Sequence, residues 1–254
     1  MLEIVKTRLF IVLVILSFSS YSFAEEYNLI ESIGKDFGEI LSYPVNIKLD
    51  DLAVIFPAGI ITAALFNNDL LIKEEFNKSS NLSLDTLSHV DMLGNGVFNL
   101  AICGGMYTLG GKKERLVGVQ IFESFIETGV LVTTIKYLTG RSRPWTGNGP
   151  YAFSGPTLSD DSFPSGHTAI AFSTATVFAD AYGCWYIAYP LATLVGLSRI
   201  YTDAHWSSDV FVAALIGCFI GKMHNIDYDK NKEVIGYKFN YENNGIGCKL
   251  VAQF

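Results

Sequence analysis

The sequence predicts an all-α protein, a helical bundle of about six core helices closed by a small C-terminal β-hairpin. Three observations carry that prediction. Half of the 254 residues are hydrophobic and only 17% are charged, against roughly 25% in an ordinary soluble domain. Six apolar segments succeed one another along the chain, each rich in the small side chains (Gly, Ala, Ser, Thr) that let helices approach closely. The length suits one domain with small appendages. The net charge, 18 − 25 = −7, argues against a nucleic-acid partner, which requires a basic surface. The apolar content excludes a disordered chain, and 23 glycines without a three-residue period exclude collagen.

Residues 1–24 read as a signal peptide. Lys6 and Arg8 supply a positive start, the apolar run Leu9–Leu16 follows, and Ser22-Phe23-Ala24 precedes Glu25-Glu26 as a cleavage site. Cleaved, or retained as an anchor, it directs the chain to export. Residues 25–50 form an amphipathic lead-in: Ile30, Ile33, Phe37, Ile40 and Leu41 recur at helical spacing among acidic residues, and Pro44 stops the run. The bundle occupies residues 51–223. Its apolar segments are 52–68, 93–111, 116–138, 168–179, 181–198 and 210–221. The second and fifth reach the length of about 20 residues that a membrane span wants; the fourth and sixth fall short. Lys112-Lys113-Glu114-Arg115 reads as a basic loop with a cytoplasmic preference, which puts residues 139–165 outside. An export signal followed by three spans puts them inside. A membrane bundle and a water-exposed exported bundle both remain open on these grounds.

The polar tail, residues 224–254, alternates Tyr237, Phe239 and Tyr241 with Lys238, Asn240 and Glu242. Asn243-Asn244-Gly245 marks a turn, and Leu250–Phe254 a return strand. Cys103, Cys184, Cys218 and Cys248 are widely spaced and form no CxxC. Three fall in apolar helical segments, where a free cysteine serves as a small buried hydrophobe. Four cysteines also allow three disulfide pairings, between which spacing does not choose.

The chemistry-bearing residues cluster between 136 and 209. The third segment ends in KYLTGRSRP, holding Lys136, Arg141, Arg143 and Pro144. Gly140 is expected to end the helix, leaving Arg143 on a loop that turns back toward Lys136. Cations at a helix C-terminus also suit the dipole with no further role. Pro164-Ser165-Gly166-His167 then opens a helix: Pro164 fixes the entry, Ser165 is a candidate cap, and Gly166 lets the backbone approach a ligand. The free amides of that first turn suit an anion, with His167 beside it. Finally Ser198-Arg199 precedes His205 and Asp209, four residues apart and on one face if helical. An aspartate there holds one ring nitrogen of His205 and frees the other to attack. The three motifs can meet at one end of a bundle. Three cations and helix amides fit a tetrahedral dianion, a carboxylate-backed histidine fits in-line attack on phosphorus, and a second histidine fits protonation of the leaving oxygen. No metal is required: there is no HExxH and no acidic cluster at metal-site spacing. His89 and His224 complete the histidine count and read as ordinary.

These motifs resemble those of the type 2 phosphatidic acid phosphatase superfamily, which includes lipid phosphate phosphatases, bacterial class A acid phosphatases and vanadium haloperoxidases. The pattern is a lysine, six residues and Arg-Pro (Lys136, Arg143-Pro144); Pro-Ser-Gly-His (Pro164 to His167); then Ser-Arg, five residues, His, three residues, Asp (Ser198-Arg199, His205, Asp209). No position departs from it. The resemblance implies an all-helical core over roughly residues 50–223, with six spans in the integral branch and the site at the outer face. It implies that His205 forms a phosphohistidine, Asp209 orients it, and His167 is acid and then base. Lys136, Arg143, Arg199, Ser165 and Gly166 would bind phosphate, without cofactor. The implied reaction is hydrolysis of a membrane lipid phosphate or pyrophosphate: phosphatidate, phosphatidylglycerophosphate, undecaprenyl diphosphate or lipid A. The signal and length look more like the soluble periplasmic acid phosphatases, the low charge more like the lipid branch. A haloperoxidase is the remote alternative, because the same anion site holds vanadate.

Overall fold

The computed structural model describes residues 29–78, 90–224, 226–227, 235–242 and 245–253. The signal-peptide reading, His89 and the Asn243-Asn244 turn lie outside the described residues. The lead-in folds as α1 (Leu29–Ser42), and a 3-10 turn over Tyr43–Val45 carries Pro44. The bundle follows as α2 (Leu52–Lys78), α3 (Gly96–Leu109), α4 (Lys112–Thr139), α5 (Gly166–Tyr182), α6 (Trp185–Tyr201) and α7 (Ser207–Met223). The tail holds β1 (Ile226–Asp227), β2 (Ile235–Glu242) and β3 (Gly245–Gln253), an antiparallel sheet in that order. Tyr237 pairs with Leu250 and Glu242 with Gly245; β1 adds a strand that the alternation in the tail did not indicate.

The helices correct the sequence reading in four places. The first segment does not stop at its last apolar residue: α2 runs on through Asp69, Lys73, Glu74 and Glu75, because Lys and Glu are good helix formers and Asp69 finds buried partners. The second segment is broken. A 3-10 turn spans Asp91–Gly94, and the Asn95 side chain then caps α3 by accepting from the Val97 amide at 2.8 Å. That leaves a helix of 14 residues, about 21 Å long and too short to cross a bilayer. The basic group Lys112–Arg115 is the first turn of α4, with no loop around it. The fifth segment yields α6 at 17 residues. The helices long and apolar enough to cross a membrane among the described residues are therefore α2 and α4.

α5 is the central helix, packed against α4, α6 and α7 and touching α3. Its small buried residues Ala169, Ala171, Ser173, Ala175 and Thr176 allow that. α7 answers with glycines: a Cβ on Gly217 would overlap the Ala169 carbonyl oxygen, and one on Gly221 would meet Thr176 Cβ at 2.6 Å. Val117, Ile121 and Phe122 of α4 pack with Leu100 and Cys103 of α3 and Val177 of α5. Cys103 is buried and free, while Cys184 and Cys218 are free and half-buried. α2 behaves differently. Its apolar window has a mean hydropathy of 1.5, yet only 6% of it is buried, against 61% for α4. The C-terminal ends of α4 and α6 and the N-terminal ends of α5 and α7 carry the three motifs.

Candidate active site

α4 ends where the sequence suggested. Gly140 takes a left-handed conformation (φ 55°) as its cap and donates to Lys136 O at 2.9 Å. The chain then leaves extended, with Arg141 bridged to Phe153 and Ser142 N bonded to Ala152 O at 2.9 Å. Alternate side chains of an extended segment face opposite ways. Arg141 therefore turns into the core and is wholly buried, while Arg143 turns to the site and stays partly accessible.

The loop from Asp160 to Ser165 organises the pocket. Asp161 accepts from Arg143 Nε and Nη2 at 2.6 and 2.7 Å, and its carbonyl accepts from the Lys136 ammonium. Those Arg143 bonds hold the Asp161 carboxyl below the usual carboxylate range, burial opposing. Ser162 O meets His205 Nδ1 at 2.7 Å. Ser165 is buried, and its amide donates to Asp209 O at 3.2 Å. The first intrahelical bond of α5 is that of Ala169 N to Ser165 O. The amides of Gly166, His167 and Thr168 precede it, as donors an anion can use. Ser165 differs from the expected cap: its hydroxyl accepts from Thr168 Oγ1 at 2.9 Å and makes no side-chain bond to a helix amide. Gly166 adjoins Lys136, whose Cε is 4.0 Å from where a Cβ would stand.

His205 is buried and lies just before α7, which starts at Ser207; the histidine is not a helical residue. A carbonyl oxygen only accepts, so the bond to Ser162 O requires the proton on Nδ1 and leaves Nε2 with the lone pair. Burial pushes the pKa of His205 down to about 4, with Asp209 opposing. The expected direct bond to Asp209 is corrected: Asp209 Oδ2 stands 3.7 Å from Nδ1, beyond hydrogen bonding. Asp209 is committed elsewhere. Its Oδ2 accepts from Ser162 Oγ at 2.5 Å and from the Trp206 amide at 2.8 Å, and its Oδ1 from Arg141 Nη1 at 2.5 Å. Burial disfavours its charge, but His205, Arg141 and Ser162 together hold its pKa below the usual value. Ser162 thus links the two: its hydroxyl donates to Asp209 and its carbonyl holds the His205 ring.

Arg199 lies in the last turn of α6. Its carbonyl accepts from the amides of Ala204 and His205 at 3.1 Å each, and Nη1 donates to Asp91 Oδ2 at 2.7 Å. Nε is buried and has no hydrogen-bond partner among the described residues, a donor left for an anion. His167 is half-buried. Burial lowers its pKa; Arg199, Arg143 and Lys136 push the same way, and Asp91 opposes. The fold therefore gathers Lys136, Arg143, His167, Arg199 and His205 around one place. Ser198 is buried and bonds Val195 O at 2.7 Å, a packing role. Pro144 accepts at its carbonyl from Lys73 Nζ at 2.6 Å, and the Phe163–Pro164 bond is cis.

This stretch lies inside the match of a family model described as the PAP2 superfamily, which covers residues 118–232. Over that stretch, 115 of the 254 residues, the chain is similar to the PAP2 superfamily. It is 40% identical over 100 residues to a lipid A 1-phosphatase of Porphyromonas gingivalis, covering 37% of this chain and 20% of that protein. It is 32% identical over 111 residues to an undecaprenyl-diphosphatase of Sulfolobus acidocaldarius, covering 43% of this chain and 54% of that one. The chain thus spans about half or less of the length of these relatives. A transmembrane PAP2 type phosphatidylglycerolphosphate phosphatase from Bacillus subtilis shares the fold, with a TM-score of 0.52 at 22% identity over 67% of this chain and 92% of that one.

Around the PAP2 motifs stand residues that their spacing does not reveal. Arg141 was visible within the first motif but without a role. It donates to Asp69 Oδ2 at 2.8 Å, to Ser208 Oγ at 2.7 Å and to Pro150 O at 2.9 Å, as well as to Asp209. Its guanidinium lies 4.3 Å from the Phe66 ring centroid. Asp69 also accepts from Ser207 Oγ at 2.6 Å and from the Ser208 amide at 3.0 Å. Asp91 and Asp161 hold the two site arginines. The two-residue offset of Arg141 and Arg143 was the one available signal, since an extended link sends such a pair to opposite sides.

Proposed function

We propose that this chain is a metal-independent phosphatase of membrane lipid phosphates or pyrophosphates, working through a phosphohistidine at His205. The observation that carries the reading is the fixed tautomer of His205, neutral and with Nε2 unprotonated, beside Lys136, Arg143, Arg199 and the free amides of α5. Nε2 attacks phosphorus in line. The cations and amides take up the charge of the equatorial oxygens, and His167 protonates the departing oxygen. Water activated by His167 then releases phosphate from the histidine.

The lipid assignment rests on the surface. α2 is apolar and almost wholly unburied, unlike the core helix of a soluble protein. Around the site loops, Trp145, Tyr151, Phe153 and Leu158 are exposed, a rim suited to an acyl or isoprenoid chain. The relatives named for lipid A and undecaprenyl diphosphate favour the same class. The basic first turn of α4 lies at the opposite end of that helix from Lys136. The positive-inside preference then favours a pocket on the outer face of the membrane.

The test is a phosphate-release panel on the detergent-purified chain without added metal. It compares phosphatidate, phosphatidylglycerophosphate, undecaprenyl diphosphate and lipid A with a small soluble ester. Release from at least one lipid is expected, abolished in His205→Ala together with any trapped phosphoenzyme. Turnover of the soluble ester alone would favour a broad-specificity acid phosphatase, and wild-type rates in His205→Ala would end the mechanism.

A further inference from the structure

In the sequence His224 reads as ordinary; in the structure it has acidic neighbours from two other helices. It is buried at the end of α7, with Nε2 2.8 Å from Glu127 Oε2 and Nδ1 3.7 Å from Glu123 Oε2. Asp36 of α1 joins them. One ligand atom each from Asp36, Glu127 and His224 lies within 4.8 Å of the others, and all three side chains are buried. The sequence shows no metal-ligand spacing here because the three residues come from α1, the middle of α4 and the end of α7.

Two further observations point to a cation. Glu127 is fully buried, yet its Oε1 has no hydrogen-bond partner among the described residues. A buried carboxylate oxygen without a partner is costly. Glu127 also sits midway along a helix long and apolar enough to cross a membrane, where an ionisable side chain is expensive unless it serves a function.

We propose that Asp36, Glu127 and His224 form a buried site for one divalent first-row transition ion, with Glu123 as a neighbouring fourth donor. One imidazole nitrogen with carboxylate oxygens suits Zn²⁺ or Mn²⁺. Ligand atoms around tetrahedral zinc stand roughly 3.3–3.6 Å apart, so side-chain shifts alone gather these atoms. The ion takes the place of the proton shared by His224 and Glu127, and its binding releases that proton. Its role is structural: it ties α1 to α4 and α7. Glu127 lies nine residues before Lys136, about 14 Å along the helix axis. The site is separate from the phosphate pocket and does not depend on the proposed reaction.

The test uses the full chain in detergent, purified without a histidine tag, stripped by chelator and re-equilibrated with micromolar Zn²⁺ or Mn²⁺. Elemental analysis after desalting should find a single bound ion per chain, and the thermal midpoint should rise on loading. Glu127→Gln and His224→Gln should each weaken binding by about tenfold or more. Asp36→Asn, on the lead-in helix, provides a milder variant should those two fold poorly. His205→Ala should bind the ion as the wild type does. A stripped wild-type chain that takes up no more ion than the Glu127→Gln/His224→Gln double variant, with no change in midpoint, would overturn the proposal. So would loss of the ion in His205→Ala, which would place it in the phosphate pocket. Failure of the lipid panel leaves the ion count untouched.

Discussion

In the proposed reaction His205 attacks only while neutral, and His167 protonates the leaving group only while charged. Their environments set the pH window between those demands. Burial brings His205 from 6.5 down to about 4, so it keeps its lone pair in all but strongly acidic solution. Burial and then Arg199 take His167 below 6.5, so the free enzyme loses its acid on the alkaline side of a window that ends early. The kcat/KM profile should rise through about pH 4 and fall again below 6.5. His167→Asn should remove the alkaline limb and slow turnover by about 10²-fold or more. A pH–rate series on both chains checks this, and an unchanged alkaline limb in the variant would assign it to another group. The same depression of His205 has a stability sign. The folded pKa lies below the unfolded one, so the contribution is fully present above 6.5 and is lost as pH falls through about 4. At this scale the residues at fixed motif spacing were legible. The bond between them was not: an i,i+4 spacing suggested a His205–Asp209 hydrogen bond, whereas the start of α7 takes Asp209 for the Trp206 amide and hands the ring to Ser162. Asp91 escaped notice because it lies 108 residues from Arg199, and only tertiary packing brings them together.

At the scale of elements, the site is a junction of four helix ends, and two contacts outside the motifs hold it. One is the buried chain from Asp69 of α2 through Arg141 to Asp209 of α7. Breaking a buried ion pair on one side leaves uncompensated charge and costs about 3–5 kcal/mol. Asp69→Asn should therefore lower the thermal midpoint markedly. It should also reduce kcat, although Asp69 is not among the groups gathered around the phosphate site, because Asp209 and the Ser162 carbonyl lose their anchor. A double-mutant cycle with Arg141→Met measures the coupling, and additive effects would mean the two act independently. The other contact is at Gly94, where a Cβ would overlap the His167 carbonyl oxygen. Gly94→Ala should displace the first turn of α5 and cost about 1–3 kcal/mol of stability. It should lower kcat more than it raises KM, since a small misplacement of an acid group is felt in the transition state. Unaltered kinetics would show that the 3-10 turn gives way instead. The helices themselves were legible as apolar runs, but their ends were not. Charged residues prolonged α2 and α4 because partners elsewhere in the fold satisfy them, and Asn95 cut the second segment short by capping α3.

At the scale of the molecule, the two ends of the bundle differ in chemistry, and the proposed orientation rests on that difference. At one end the basic first turn of α4 meets the α5–α6 junction. Lys113 lies 4.5 Å from the Tyr182 ring centroid, and Trp185 and Tyr186 are exposed beside it. Lysine with tyrosine and tryptophan is the composition of a cytoplasmic membrane boundary. At the other end stand the proposed phosphate site and its exposed rim of Trp145, Tyr151, Phe153 and Leu158. α4 joins the two ends with 28 residues, about 42 Å of helix against a hydrocarbon core of about 30 Å. It can therefore put both aromatic groups at interfaces. Composition alone left open whether the bundle sits in a membrane, because a soluble core reads as equally apolar; the near-complete exposure of α2 is what favours the proposed membrane setting. Leu158, 85% exposed on the pocket side, offers the test. In a chain whose native cysteines are changed to serine, Leu158→Cys should react with a membrane-impermeant maleimide on intact spheroplasts. Lys113→Cys should react only after permeabilisation. The reverse pattern would turn the pocket to the cytoplasm, and labelling of both without permeabilisation would mean that α4 does not cross.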